Sequence, residues 1–155
     1  MATTIESSSL RVKIEEDISL NGVDYGSIHT KLITGINSIL KRIVRCTASQ
    51  TTTVVTFNAT VHGAANAIDL QEAKYIRITN LDDSNALELA VVGAATLYQV
   101  ELAAGESHIL GNPEAVMLAE ADTSPSFGTM ADLASIQVNP GGNAIDIEIF
   151  VASAT

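Results

Sequence analysis

Apolar and polar positions alternate with a period of two along much of this chain, most clearly from Ala73 to Gly111. Tyr75 to Thr79 runs into Asn80-Leu81-Asp82-Asp83-Ser84-Asn85, and Leu87 to Val91 runs into Gly93-Ala94-Ala95-Thr96. Leu97 to Leu102 then meets Ala103-Ala104-Gly105-Glu106-Ser107, and His108-Ile109-Leu110 follows. Alternation bounded by Asn, Asp, Ser and Gly marks half-buried antiparallel strands, here read as a four-stranded meander. Turn clusters recurring about every ten residues point to a sandwich or barrel and away from βαβ units.

Upstream, Met1 to Ser9 is polar and rich in Ser and Thr, and reads as a loose arm that orders only when a neighbouring subunit takes it up. Leu10, Val12 and Ile14 alternate with Arg11 and Lys13 as a first strand. Glu15-Glu16-Asp17 interrupts it, and Ile18 and Leu20 lead into the turn Asn21-Gly22. Residues 26–46 admit two readings. Leu32, Ile33, Ile36, Ile39, Leu40, Ile43 and Val44 fit a helical stripe, but most of the apolar residues are β-branched. Gly35, Asn37 and Ser38 would also sit inside that helix. Two strands broken at Asn37-Ser38 are therefore favoured, with a short helix over 36–45 as the alternative.

Thr51 to Ala59 is rich in Thr and Val and predicts a strand. Val61 to Ala67 predicts a loop, and Ile68 to Glu72 an exposed approach to the meander. Beyond the meander come a turn at Asn112-Pro113-Glu114, a strand over Ala115 to Ala119 and a loop over Ala121 to Gly128. Met130 to Val138 predicts a strand or a loop packed on the sheet. Asn139-Pro140-Gly141-Gly142-Asn143 is a turn, and Ala144 to Ala152 closes the chain as a strand with one buried face. The expected fold is all-β: an antiparallel β-sandwich of jelly-roll type, one domain over 10–155 preceded by an extended N-terminal arm over 1–9.

Composition narrows the function. Aromatic residues make up 4% and Trp is absent, so the core must be Ile, Val, Leu and Ala, and the composition argues against an aromatic sugar- or base-stacking platform. The formal net charge is −10, with every Lys and Arg between Arg11 and Arg77. That balance argues against nucleic acid as a partner. It suits a protein that docks on something basic and keeps an acidic outer face, although a solvated acidic surface explains it too. Cys46 is the only cysteine, which rules out an intrachain disulfide and fits a buried, inert thiol in a reducing compartment. The opening Met-Ala-Thr-Thr-Ile-Glu lacks a basic and apolar leader pattern, so no secretory signal is expected, and no apolar run is long enough to span a bilayer.

Candidate chemistry is sparse. Asp82, Asp83, Ser84 and Asn85 offer oxygens to Ca²⁺ but lack EF-hand spacing, and a hairpin loop explains them equally well. His29, His62 and His108 share no metal-binding spacing. Ser107 and His108 are adjacent on a strand and point to opposite faces, so they form no Ser/His pair. No catalytic, cofactor or metal residue is assigned, and no small-molecule substrate is expected. Lys41, Arg42 and Arg45 form the one basic cluster, with Lys41 and Arg45 on one strand face. They read as a solvated face or as a contact for an acidic partner. With Ser7, Ser8 and Ser9 of the arm, they are the interface candidates.

Several segments carry a resemblance: NGVDYGS (21–27), KRIV (41–44), TTVVTFNA (52–59), KYIRITNLDDSNALEL (74–89), QVELAAGESHIL (99–110), AEADT (119–123) and AIDIEIFVAS (144–153). In these the chain resembles small jelly-roll virion structural proteins of tailed bacteriophages, cyanophages included. The resemblance implies a β-sandwich assembled in many copies on the particle, without catalysis. The expected role is a head cement or decoration protein, most simply a homotrimer on the major capsid protein, with a tail-associated adaptor or receptor-binding module as the alternative. The expected location is the virion, assembled in the host cytoplasm, with no membrane or nucleic-acid partner. No binding residue is carried over from the family.

Overall fold

The computed structural model describes residues 4–58, 67–94, 96–111, 113 and 127–154. Within them the regular elements are thirteen strands. The first four are β1 (Ser8–Glu16), β2 (Ser19–Leu20), β3 (Val23–Asp24) and β4 (Ser27–Ile36). Then come β5 (Ser38–Cys46), β6 (Thr52–Asn58), β7 (Ala67–Asp69), β8 (Ala73–Asn80) and β9 (Leu87–Gly93). β10 (Leu97–Leu102), β11 (Ser107–Leu110), β12 (Leu133–Asn139) and β13 (Ile145–Ser153) complete the chain. Residues 26–46 form two strands parted at Asn37, as the β-branched content favours, and the helix is not formed. The predicted strand over 115–119, His62 and residues 61–66 of the predicted loop lie outside the described residues, and Ala67, expected to end that loop, opens β7.

Nine strands make the body. One sheet has the order β11-β8-β13-β5 and the other β10-β9-β12-β6-β7. The antiparallel pairs β9·β10, β8·β11, β6·β12 and β5·β13 nest one inside another, like a single long hairpin rolled up. Pairs β8·β13 and β9·β12 close the roll. This is jelly-roll order, and the body is an antiparallel β-sandwich. The four strands from Ala73 to Gly111 are therefore not a meander. β8 and β11 lie in one sheet and β9 and β10 in the other, so the loops after Asn80 and Leu102 cross the sandwich. Alternation marks which side chains turn inward, but two facing sheets share that inside, so the period alone does not assign a strand to a sheet. A second correction concerns Ile68 to Glu72. Ile68 and Leu70 are buried, because β7 adds to β6 as a short parallel edge and turns them into the core.

The core is aliphatic, as an aromatic-poor composition requires. Ile145, Ile147, Ile149 and Val151 of β13 meet Ile76 and Ile78 of β8 and, from the facing sheet, Leu87, Leu89, Val91, Ile136 and Val138. All are essentially inaccessible to solvent.

The first four strands stand apart from the body. From Leu10·Ile33 to Leu20·Val23 every paired position keeps one register, so β1–β4 form one antiparallel ribbon. At about 3.3 Å per residue its ladder runs roughly 35 Å. Asn21 and Gly22 both have positive φ, 52° and 78°, the turn whose twist suits a two-residue hairpin. At Gly26 a Cβ would lie 2.6 Å from the Glu16 carbonyl oxygen, so only glycine lets the two strands close there. Ser8 and Ser9, expected in a loose arm, open β1, because the ladder extends to a Ser8·Ile36 pair beyond a bulge.

The inner and outer faces can be checked directly. Ile149→Ala should cost about 2–5 kcal/mol of unfolding free energy through cavity formation. Ile43→Ala, on the exposed face of neighbouring β5, should cost less than about 0.5 kcal/mol. Denaturant titration reads both, and equal losses would mean that the faces are misassigned.

Candidate functional site

β13 turns Asp146, Glu148, Phe150 and Ala152 outward, and this alternation divides the outer face of its sheet into two halves. One half is apolar. Tyr75 meets Phe150 edge to face, with ring centroids 6.1 Å apart, and Ile36, Tyr75 and Ala152 form a small second core. Leu10, Val12 and Ile33 of the ribbon base pack on it. Where the two-stranded ribbon crosses the wider sheet it leaves two grooves of about 340 and 330 Å³. The first lies between Val12, Ile14, Tyr75, Arg77 and Phe150, and the second between Lys31, Lys74, Ile109 and Gly111.

The other half is charged. Glu148 accepts from Arg77 on one side and pairs with Lys41 at 3.2 Å on the other. The Arg77 hydrogen bond, followed by Lys41, holds its carboxyl below the usual range. Arg45 reaches Asp146 at 3.5 Å with its side chain largely exposed. Exposed pairs of this length contribute little to stability, so their charges remain open to another partner.

The candidates named from sequence now have places. Lys41 and Arg45 share the outer face of β5 with Ile39 and Ile43, and both isoleucines are more than 60% exposed. Arg42 does not share that face. It is half-buried on the core side with Leu40 and Val44, because successive side chains on a strand point opposite ways. Ser7, Ser8 and Ser9 are all exposed, with Ser7 just ahead of the ribbon.

The ribbon beyond its base was not read as a surface from sequence. Leu20 pairs with Val23, and Ile18 and Tyr25 lie one step further back on the same face. Their exposures are 59%, 52%, 54% and 63%, which makes a contiguous apolar tip standing off the body. The signal that reveals it is the mirror spacing of apolar residues about Asn21-Gly22.

Other polar residues prove structural. Asn80 is fully buried, and its Nδ2 donates to the carbonyl oxygens of Asn85, Leu102 and Ala103 at 2.8–3.1 Å. Its Oδ1 accepts from the Asp82 amide at 3.0 Å. One side chain thus ties together both loops that cross between the sheets. Asp82 Oδ1 accepts from the amides of Ser84 and Asn85, which lower its pKa, so this oxygen holds the turn of its own loop. No metal-ligating cluster occurs among the described residues. His108 Nε2 bonds the Tyr98 hydroxyl at 2.9 Å, half-buried, while neighbouring Ser107 bonds Thr79 on the outer face. Cys46 is buried, and desolvation pushes its thiol pKa up. Among the described residues no helix is long and apolar enough to cross a membrane.

Asn80→Ala would strip the buried Leu102 carbonyl and the part-buried carbonyls of Asn85 and Ala103 of a donor, and should destabilise the fold by about 2–3 kcal/mol in urea titration. A loss below about 0.5 kcal/mol would remove Asn80 from this role. Burial lowers the His108 pKa, so the unfolded chain takes up that proton first. Its contribution to stability is complete above 6.5, the ordinary value, and is lost as pH falls through the lowered folded value. His108→Gln should therefore flatten the stability profile between about pH 7 and pH 5, measured by unfolding at each pH.

No family model matches the chain, and no curated protein matches it. Among solved structures, a chain from the Bacillus endospore appendages, described as a novel family of disulfide-linked pili, aligns with 76% of this chain and 90% of its own length. The identity is 9% and the TM-score 0.38, a likeness short of a shared fold.

Proposed function

We propose that this chain is a structural subunit of a tailed-phage particle, a head cement or decoration protein that bridges capsid subunits as an oligomer. One observation carries the reading: a ribbon about 35 Å long, rooted on the sandwich, holds four apolar side chains out in solvent. A two-stranded ribbon is only marginally stable by itself in water. Exposed apolar clusters of this kind mark surfaces meant for a partner. The resemblance of residues 74–89, 99–110 and 144–153 to phage virion jelly rolls supplies the setting. The role is passive. The sandwich provides a rigid seat, and the ribbon and the Ser7 end of the chain add buried interface where neighbouring capsomers are pulled apart. The partners in this reading are the major capsid protein and further copies of the chain, in the simplest case as a homotrimer on the virion.

Immunogold labelling of intact particles tests the location. Label over the head supports the reading, label confined to the tail favours the tail-adaptor alternative, and unlabelled particles overturn both. On the head reading, the double substitution Leu20→Ser/Val23→Ser should lower particle occupancy at least about tenfold at limiting protein. Because both side chains are exposed, the urea midpoint of the isolated subunit should stay unchanged.

A further inference from the structure

We infer that the ribbon tip of one copy packs on the outer face of β5 in a second copy. The contact deepens the proposed oligomer and rests on its self-assembly, not on its place on a phage.

The two surfaces match in chemistry. The tip presents Ile18, Leu20, Val23 and Tyr25, and the chain around it carries Glu15, Glu16, Asp17 and Asp24 with no Lys or Arg between Ile14 and Ile28. The outer face of β5 carries the opposite charge, with exposed Ile39 and Ile43 alternating with Lys41 and Arg45. No Asp or Glu occurs from Tyr25 to Ile68, and among the described residues the carboxylates paired with those cations are Asp146 and Glu148 on β13. Glu148 is already shared with Arg77, which leaves three cations against two carboxylates on this face. An acidic apolar tip on a basic apolar strand brings opposite charges together and removes both sets of exposed aliphatic side chains from water.

Topology directs the contact to another copy. The ribbon base lies over Tyr75 and Phe150, and its grooves extend to Ile109 and Gly111 beside β11. In the order β11-β8-β13-β5, β11 and β5 are opposite edges. A ribbon lying toward β11 leaves Ile39 and Ile43 of its own β5 exposed, so among the described residues half of the outer face is covered and half is not. Among the described residues β5 is also the longest sheet edge in the body, nine residues against six, four and three for β10, β11 and β7. Tip and β5 are different surfaces, so the contact is either exchanged reciprocally in a two-fold dimer or repeated head to tail, closing into a ring, as in a trimer, or continuing as a filament.

Sedimentation velocity of the purified full chain over a concentration series tests this, with circular dichroism confirming that each variant stays folded. Glu16→Lys/Asp17→Lys and Lys41→Glu/Arg45→Glu should each weaken self-association about tenfold or more. Combining the two pairs should restore most of it, because the charges are exchanged across one contact. Leu20→Ser/Tyr25→Ser should weaken association without rescue by the β5 substitutions. A wild-type chain that stays monomeric at about 100 μM overturns the inference, as do β5 substitutions that leave association unchanged or a combination that is simply additive. Rescue in solution by a protein that never labels particles would keep this contact and sink the virion reading. Head labelling without rescue would do the reverse.

Discussion

Both faces of β13 are committed, and the rest of the molecule is arranged around that. Inward, Ile145, Ile147, Ile149 and Val151 fill the middle of the sandwich between β8 and the opposing sheet. Outward, Asp146 and Glu148 gather the cations of β5 and β8, and Phe150 and Ala152 seat the ribbon. A strand with period-two alternation ordinarily gives one face to water. Here only the end nearest Ile145 does so in part, and the other end is roofed by residues from the beginning of the chain. The termini of the described chain are thereby linked: Ala152 of the last strand is buried by side chains of β1 and β4.

That roof explains how so lean a ribbon is held. Its base buries Ile36 and half-buries Leu10, Val12 and Ile33 against Tyr75 and Phe150, which anchors one end. Its far end is held in shape by the ladder, the Asn21-Gly22 turn, the close approach at Gly26 and the hydrogen bonds from Ser27 to Glu16 and from the Gly26 amide to Asp24. The design separates two tasks. Folding is completed by the aliphatic interior, while the apolar side chains of the tip stay exposed and add no buried core to it. The uneven charge fits the same division, since the basic residues lie on the ribbon base and on one sheet, and the later strands contribute acids.

The local pattern carried much of this. Splitting 26–46 at Asn37 followed from β-branched content and a mid-segment Gly, and β4 and β5 meet there. The opposed directions of Ser107 and His108 followed from strand geometry, and each has a partner on its own side of the sheet. Other features were beyond reach of a period-two reading. Arg42 was grouped with Lys41 and Arg45 by adjacency, yet pleating turns it to the core side. Ser8 and Ser9 were grouped with a polar arm, yet backbone pairing with β4 does not depend on apolar side chains. Asn80 read as one more turn residue, because the carbonyls of Leu102 and Ala103 that it holds are more than twenty positions away.

What the amino-acid order determined by itself is most of the described strands, their inward faces and the aliphatic nature of the core, since these depend on alternation and on turn residues acting within a few positions. Tertiary structure alone decided which sheet each strand joins, that β7 buries Ile68 and Leu70, and that the first four strands stand out as a ribbon above β8 and β13. Those outcomes depend on pairings between residues far apart in the chain, such as Ile149 with Ile78 or Asn80 with Leu102, and one-dimensional periodicity holds no record of them.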